Sequence, residues 1–154
     1  MRLMKFALVV TLVAASYGVQ AQADPTVGTW KLNLAKSKYN AGQPPKSSTV
    51  VIAAAGQGIK LTADTVLADG TARKISYTAT YDGKDAVVTG TPDYDGMSLK
   101  KTANGVEGSR KKAGKVVQTY TRVVSADGKT MTVTSTGTTA SGAKVDNVQV
   151  YDKQ

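Results

Sequence analysis

The sequence predicts an all-β protein, an up-and-down antiparallel β-barrel of about eight to ten strands behind a cleavable leader. Three observations carry that expectation. Glycine-bearing turn signals recur roughly every 9 to 14 residues from Gly70 onward. The residues between them alternate with a period of two, which marks half-buried antiparallel strand. No window carries the i, i+3, i+4 apolar stripe of an amphipathic helix.

The first residues read as an address. Arg2 and Lys5 precede the apolar run Phe6 to Ala15, which is too short for the roughly 20 residues of a membrane-spanning helix. Ala21 and Ala23 supply the small residues of a cleavage site, so residues 1–23 read as a secretory signal peptide. The expected location is periplasmic or secreted. Residues 24–154 are expected to form one domain. No later segment has a long apolar run, so no transmembrane segment is expected.

Composition removes whole classes of chemistry. There is no cysteine, hence no disulfide, no thiolate nucleophile and no Cys-ligated metal. There is no histidine, so His-based triads and ordinary zinc sites go with it. The expectation is a non-catalytic protein without cofactor or metal, working as a monomer. The formal charge of +9 falls to +7 once Arg2 and Lys5 leave with the leader. Such a balance attracts polyanions. Export and the lack of aromatics among the basic residues argue against nucleic acid.

The strands follow in order. The first spans about 27–34, "VGTWKLNL", with Trp30, Leu32 and Leu34 on one face. The segment Ala35–Ser48 is longer than a hairpin turn and carries Pro44 and Pro45, which suppress both helix and ladder. It reads equally as a lid or as a surface crossover. Strands near 48–55, 58–67 and 71–81 come next. In them Ile59, Leu61 and Ala63 oppose Lys60, Thr62 and Asp64, and Ile75, Tyr77, Ala79 and Tyr81 oppose Lys74, Ser76, Thr78 and Thr80. Further strands are expected near 85–90, 96–102, 106–112, 115–125, 129–137 and 143–152. Glycines 70, 83, 96, 105, 114, 128 and 142 sit at the turns, where positive φ is needed. Regular spacing of this kind suits a sandwich or a barrel. Closure removes unpaired edges, which favours the barrel.

Gly-x-Trp on the first strand, in "GTWKLN", and Tyr151 in the last-strand "QVYD" resemble the lipocalin and fatty-acid-binding superfamily, the calycins. The chain is similar to small exported bacterial lipocalin-like proteins. The resemblance implies a barrel that holds a small apolar or amphipathic molecule. It also implies a structural floor in which Gly28 and Trp30 close one end, with Arg122 laid across the Trp30 ring. In fatty-acid-binding proteins an arginine two residues before the last-strand tyrosine helps hold the ligand carboxylate. Gln149 stands in that place here.

The candidate ligand-binding residues are Tyr77, Tyr120, Gln149 and Tyr151, since tyrosine offers an apolar body with one polar handle. Arg122 is read on a face with Val116, Gln118, Tyr120 and Val124. A second reading is an envelope interaction module. In it Lys100 and Lys101 face Arg110, Lys111 and Lys112 across a hairpin, with Lys115 following, and this basic surface docks on anionic lipid or polymer. Asp93 and Asp95 lie two apart before Gly96, but the twelfth position of a calcium loop would be Asn104, so a turn is expected. A His-free enzyme would need an acid inside the barrel, and Asp64 and Asp146 are the strand-interior candidates.

Overall fold

A computed structural model describes residues 23–40 and 42–154. The predicted leader lies outside the described residues, apart from Ala23. The chain is built almost wholly of antiparallel strands: β1 (Gly28–Leu32), β2 (Lys38–Tyr39), β3 (Ser47–Ala55), β4 (Gly58–Val66), β5 (Ala72–Thr80), β6 (Ala86–Thr89), β7 (Gly96–Thr102), β8 (Gly105–Lys112), β9 (Lys115–Val124), β10 (Thr130–Thr138) and β11 (Lys144–Lys153). From β3 to β11 each strand pairs with the next, and β1 pairs with both β3 and β11. Ten strands therefore close into a barrel, and β2 is an eleventh, added to β11.

Local turn chemistry sets these boundaries. Gly70, Gly83, Gly114, Gly128 and Gly142 all have positive φ, as hairpin turns require. Gly96 and Gly105 do not; they begin β7 and β8 instead. At Gly105 the constraint is close approach, because a Cβ there would lie 1.8 Å from the Arg122 carbonyl oxygen.

The inward side chains form one core. Trp30, Ile52, Ile59, Met97, Leu99, Val106 and Met131 are essentially inaccessible to solvent. Ile75, Tyr77, Ala79 and Tyr81 join or pack against this core, as the alternation of β5 predicts. Leu34 departs from the expected pattern. The chain leaves the sheet after Leu32 and makes a single 3-10 turn, Leu34–Lys36, capped by the Asn33 side chain, so Leu34 is exposed.

One end of the barrel is shut by the segment before β1. The Trp30 indole Nε1–H donates to the Thr26 carbonyl at 2.9 Å, and Thr26 is fully buried. Asp24 accepts from the Thr26 hydroxyl at 2.7 Å and from the Tyr81 hydroxyl. The cation over the Trp30 ring is Lys153, 5.2 Å from the ring centroid, and not Arg122. Gly28 is needed there: its φ is +145°, and a Cβ would come within 2.9 Å of Lys153 Cε.

Candidate functional site: a cavity with two inward arginines

A cavity of about 250 Å³ occupies the half of the barrel away from Trp30. Val50, Leu61, Ile75, Met97, Met131 and Val133 give it apolar walls, and Gln43 and Pro45 of the 35–48 segment lie at its mouth. A second, more polar chamber of about 220 Å³ adjoins it on the β8–β11 side. Arg73, Ile75, Tyr94, Arg110 and Gln149 line both. Each chamber falls short of the roughly 300–1,000 Å³ of drug-sized pockets. Together they reach that range.

Tyr94 and Arg110 line both chambers, and Arg110 belongs to a cluster of tyrosines and arginines. The Arg110 guanidinium lies 5.0 Å from the Tyr94 ring centroid and 4.7 Å from that of Tyr120. The Arg122 guanidinium lies 5.9 Å from the Tyr120 ring centroid and donates to the Tyr77 hydroxyl at 2.7 Å. Arg110 also donates to Gln118 Oε1 at 2.8 Å and Ser135 Oγ at 3.3 Å. Gly108 makes room for this stack, since a Cβ there would sit 2.9 Å from the Tyr120 ring.

Among the described residues neither Arg110 nor Arg122 makes an ion pair, although Asp93, paired with Arg73 at 3.8 Å, lines the second chamber together with Arg110. No carboxylate lines the 250 Å³ cavity among the described residues, although Arg110 and Arg122 both do. Arg122 is only 4% exposed. Its Nη1, the Arg110 Nε and the Tyr120 hydroxyl are buried without a hydrogen-bond partner among the described residues. Burial pushes the Arg122 guanidinium down, but the Tyr77 and Tyr120 oxygens more than offset this, and it stays charged. Burial pushes the Tyr120 hydroxyl up, and Tyr151 up to about 12, so both are neutral donors at ordinary pH. An unpaired buried cation is costly. The arrangement can accept an anion with little further desolvation of the protein.

Of the four sequence candidates, Tyr77, Gln149 and Tyr151 line the cavity. Tyr120 does not; its ring is in contact with both guanidiniums. Gln149 faces a different partner from the one a ligand would supply, since its Nε2 donates to the Tyr39 hydroxyl at 3.1 Å.

The basic hairpin is divided by the fold. Arg110 turns inward, and the register sets Lys100 opposite Glu107 and Lys101 opposite Val106, not opposite residues 110–112. Lys111 pairs with Asp85 at 2.7 Å and Lys112 with Asp95 at 3.6 Å. Lys101 lies 5.5 Å from the Tyr81 ring, and Lys115 is exposed at the start of β9. Asp64 pairs with exposed Lys74 at 3.2 Å, and Asp146 accepts from Asn40 at the surface, so neither acid enters the cavity. Asp93 serves its own turn and pairs with Arg73 at 3.8 Å, while Asp95 accepts from the Ala113 amide. A larger concavity of about 450 Å³ lies on the outer face of β7–β10, lined mainly by Ser, Thr, Lys100 and Glu107. Tyr120 is also among its lining residues.

No family model matches the sequence, and no curated protein matches it. Among solved structures, the barrel is similar to zebrafish ileal bile acid-binding protein complexed with cholic acid. The TM-score is 0.50 at 13% identity, over 85% of this chain and all of that one. The two share the architecture of a closed antiparallel β-barrel of ten strands. The expectation drawn from Gly-x-Trp and the turn ladder therefore holds for the architecture.

Proposed function

We propose that this barrel binds a small amphipathic molecule, its anionic group against Arg110 and Arg122 and its apolar part along Val50, Leu61, Met97 and Val133. The observation that carries the reading is Arg122: a buried guanidinium, facing a cavity, whose only hydrogen-bond partner among the described residues is the Tyr77 hydroxyl. The protein in the similar structure carries cholic acid, itself an acid. The role is binding without catalysis. The leader reading adds that binding takes place in the periplasm or outside the cell.

The test is a titration with a length-matched pair, decanoate and decanol, followed by native mass spectrometry or calorimetry. A hydrogen bond to a charged group contributes about 1.5–3 kcal/mol, so the carboxylate should bind roughly 10- to 100-fold more tightly. Equal affinity for the two, or binding of neither, overturns the reading.

A further inference from the structure

The barrel wall has one stretch that contributes nothing to its core. β1 closes the barrel only in the floor half, where Trp30–Leu32 pair with Lys153–Tyr151 and Gly28–Lys31 pair with Ile52–Thr49. Beyond Leu32 the chain departs, while β3 continues through Ser48 and Ser47 and β11 continues back to Lys144. The strap Asn33–Asn40 covers this part of β11. Its ladder there is two residues long, Lys38 against Val148 and Tyr39 against Asn147. Its other edge pairs with nothing among the described residues, so β2 and β3 are separated by a seam without backbone hydrogen bonds. Ser48 on β3 and Gln149 on β11, both beyond the last residues paired with β1, flank this stretch and line the cavity behind it.

Hydrogen bonds tie the strap to β11. The Val150 amide donates to Ser37 Oγ at 2.9 Å, and the Asn33 amide donates to the Val150 carbonyl at 2.8 Å. The Asn40 amide donates to Asn147 Oδ1 at 3.0 Å, and Gln149 Nε2 donates to the Tyr39 hydroxyl. No residue from Asn33 to Asn40 is buried. Segments with few buried apolar contacts and water-accessible hydrogen bonds open at the lowest free energy. Every other wall strand that borders the cavity carries buried core residues on its inner face.

We propose that the ligand passes laterally through the seam between β2 and β3, with the strap Asn33–Asn40 swinging off β11 and the Gln149–Tyr39 hydrogen bond acting as its latch. This inference rests on the cavity-binding reading above. Gln149 then has a definite task in the cavity wall: it fastens the strap and does not hold the charge.

The chain has no cysteine, so a single engineered disulfide is unambiguous. Lys38→Cys with Val148→Cys joins directly opposed positions on the outward face of the β2–β11 pair. Opposed antiparallel residues lie within the Cα separation a disulfide needs. The control is Thr121→Cys with Thr134→Cys, an outward pair between β9 and β10. Uptake of anilinonaphthalene sulfonate, a fluorescent amphipathic anion, is followed by stopped flow before and after reduction. The oxidised strap variant should take up the probe at least roughly tenfold more slowly than its reduced form, as expected when a required opening is blocked. The oxidised control should match its reduced form. Tyr39→Phe, which removes the latch acceptor, should speed uptake roughly two- to tenfold, the range that loss of one ordinary hydrogen bond allows. Equal rates for the oxidised and reduced strap variant overturn the lateral route, while saturable binding in both leaves the cavity reading standing. Absence of saturable binding to the reduced protein overturns both.

Discussion

Replacing Arg122 with methionine should stabilise the unliganded barrel and remove its preference for anions. Arg122 is 4% exposed, and withdrawing its charge from water carries an effective penalty of several kcal/mol. Against that stand one hydrogen bond to Tyr77, about 1.5–3 kcal/mol for a charged donor, and the contact with the Tyr120 ring, about 0.5–2 kcal/mol. Among the described residues no carboxylate lines the 250 Å³ cavity to complete the balance. Replacing buried ions with apolar side chains of similar volume is often neutral or stabilising by about 1–4 kcal/mol. Part of this gain is lost because Tyr77 is left without its partner, and Arg122→Met with Tyr77→Phe should recover it. With a urea slope of about 1–3 kcal/mol per molar, the midpoint should rise by about 1 M at unchanged slope. Decanoate at 100 times its Kd should stabilise the wild type by about 2.7 kcal/mol and the variant hardly at all. A midpoint lowered by about 1 M, with decanoate still raising it, would refute the reasoning and make Arg122 a structural residue.

The floor and the turns give further predictions. Trp30→Ala should cost about 3–5 kcal/mol, a large part of the roughly 5–15 a domain holds, and urea unfolding should show the loss directly. Gly105→Ala forces a Cβ onto the Arg122 carbonyl and should cost at least about 1–3 kcal/mol, read as a lower Tm, whereas exposed Gly142→Asn should be nearly neutral. At Asp24, burial pushes the carboxyl up, but the hydrogen bonds from Tyr81 and Thr26 outweigh it and hold the group below its ordinary value. Its contribution is therefore complete above about pH 4 and is lost as pH falls through the lowered value, so Asp24→Asn should flatten the acid limb of a stability–pH curve. Tyr81 is raised by burial and by Asp24, so its contribution is complete below about pH 10 and lost as pH rises through the folded value. Tyr81→Phe should remove part of that alkaline loss.

Most of the fold was legible because its signals are local. A hairpin turn is specified by two or three residues, and ten strands fall within a few residues of their expected limits, as "ADG" before β5 and again before β10 illustrates. The faces of β5 and β10 follow from strict alternation. β2 was not legible: it is two residues long, lies in a proline-bearing segment, and exists only because β11 offers it an edge. The site was less readable. A register shift between Arg110 and Lys111 breaks the alternation at the β8–β9 hairpin. Val116 is consequently exposed, although it was read on the face of Gln118, Tyr120 and Arg122. Arg110 was grouped with its basic neighbours, yet it shares parity with Val106 and Gly108, and that parity was the available signal for an inward side chain. The pairing of Arg122 with Tyr77 joins residues 45 apart in sequence, and no local pattern announces it.

The proposed function requires an anionic group seated against Arg110 and Arg122. Residues 24–154 contain only three arginines, at 73, 110 and 122, so their guanidinium Nε–H resonances can be told apart by single substitutions. Nitrogen-detected NMR during a decanoate titration tests the claim directly. The Arg110 and Arg122 signals should shift together and saturate at one equivalent, with Arg73, paired with Asp93, moving less. Saturation with the Arg110 and Arg122 signals unmoved would contradict the account.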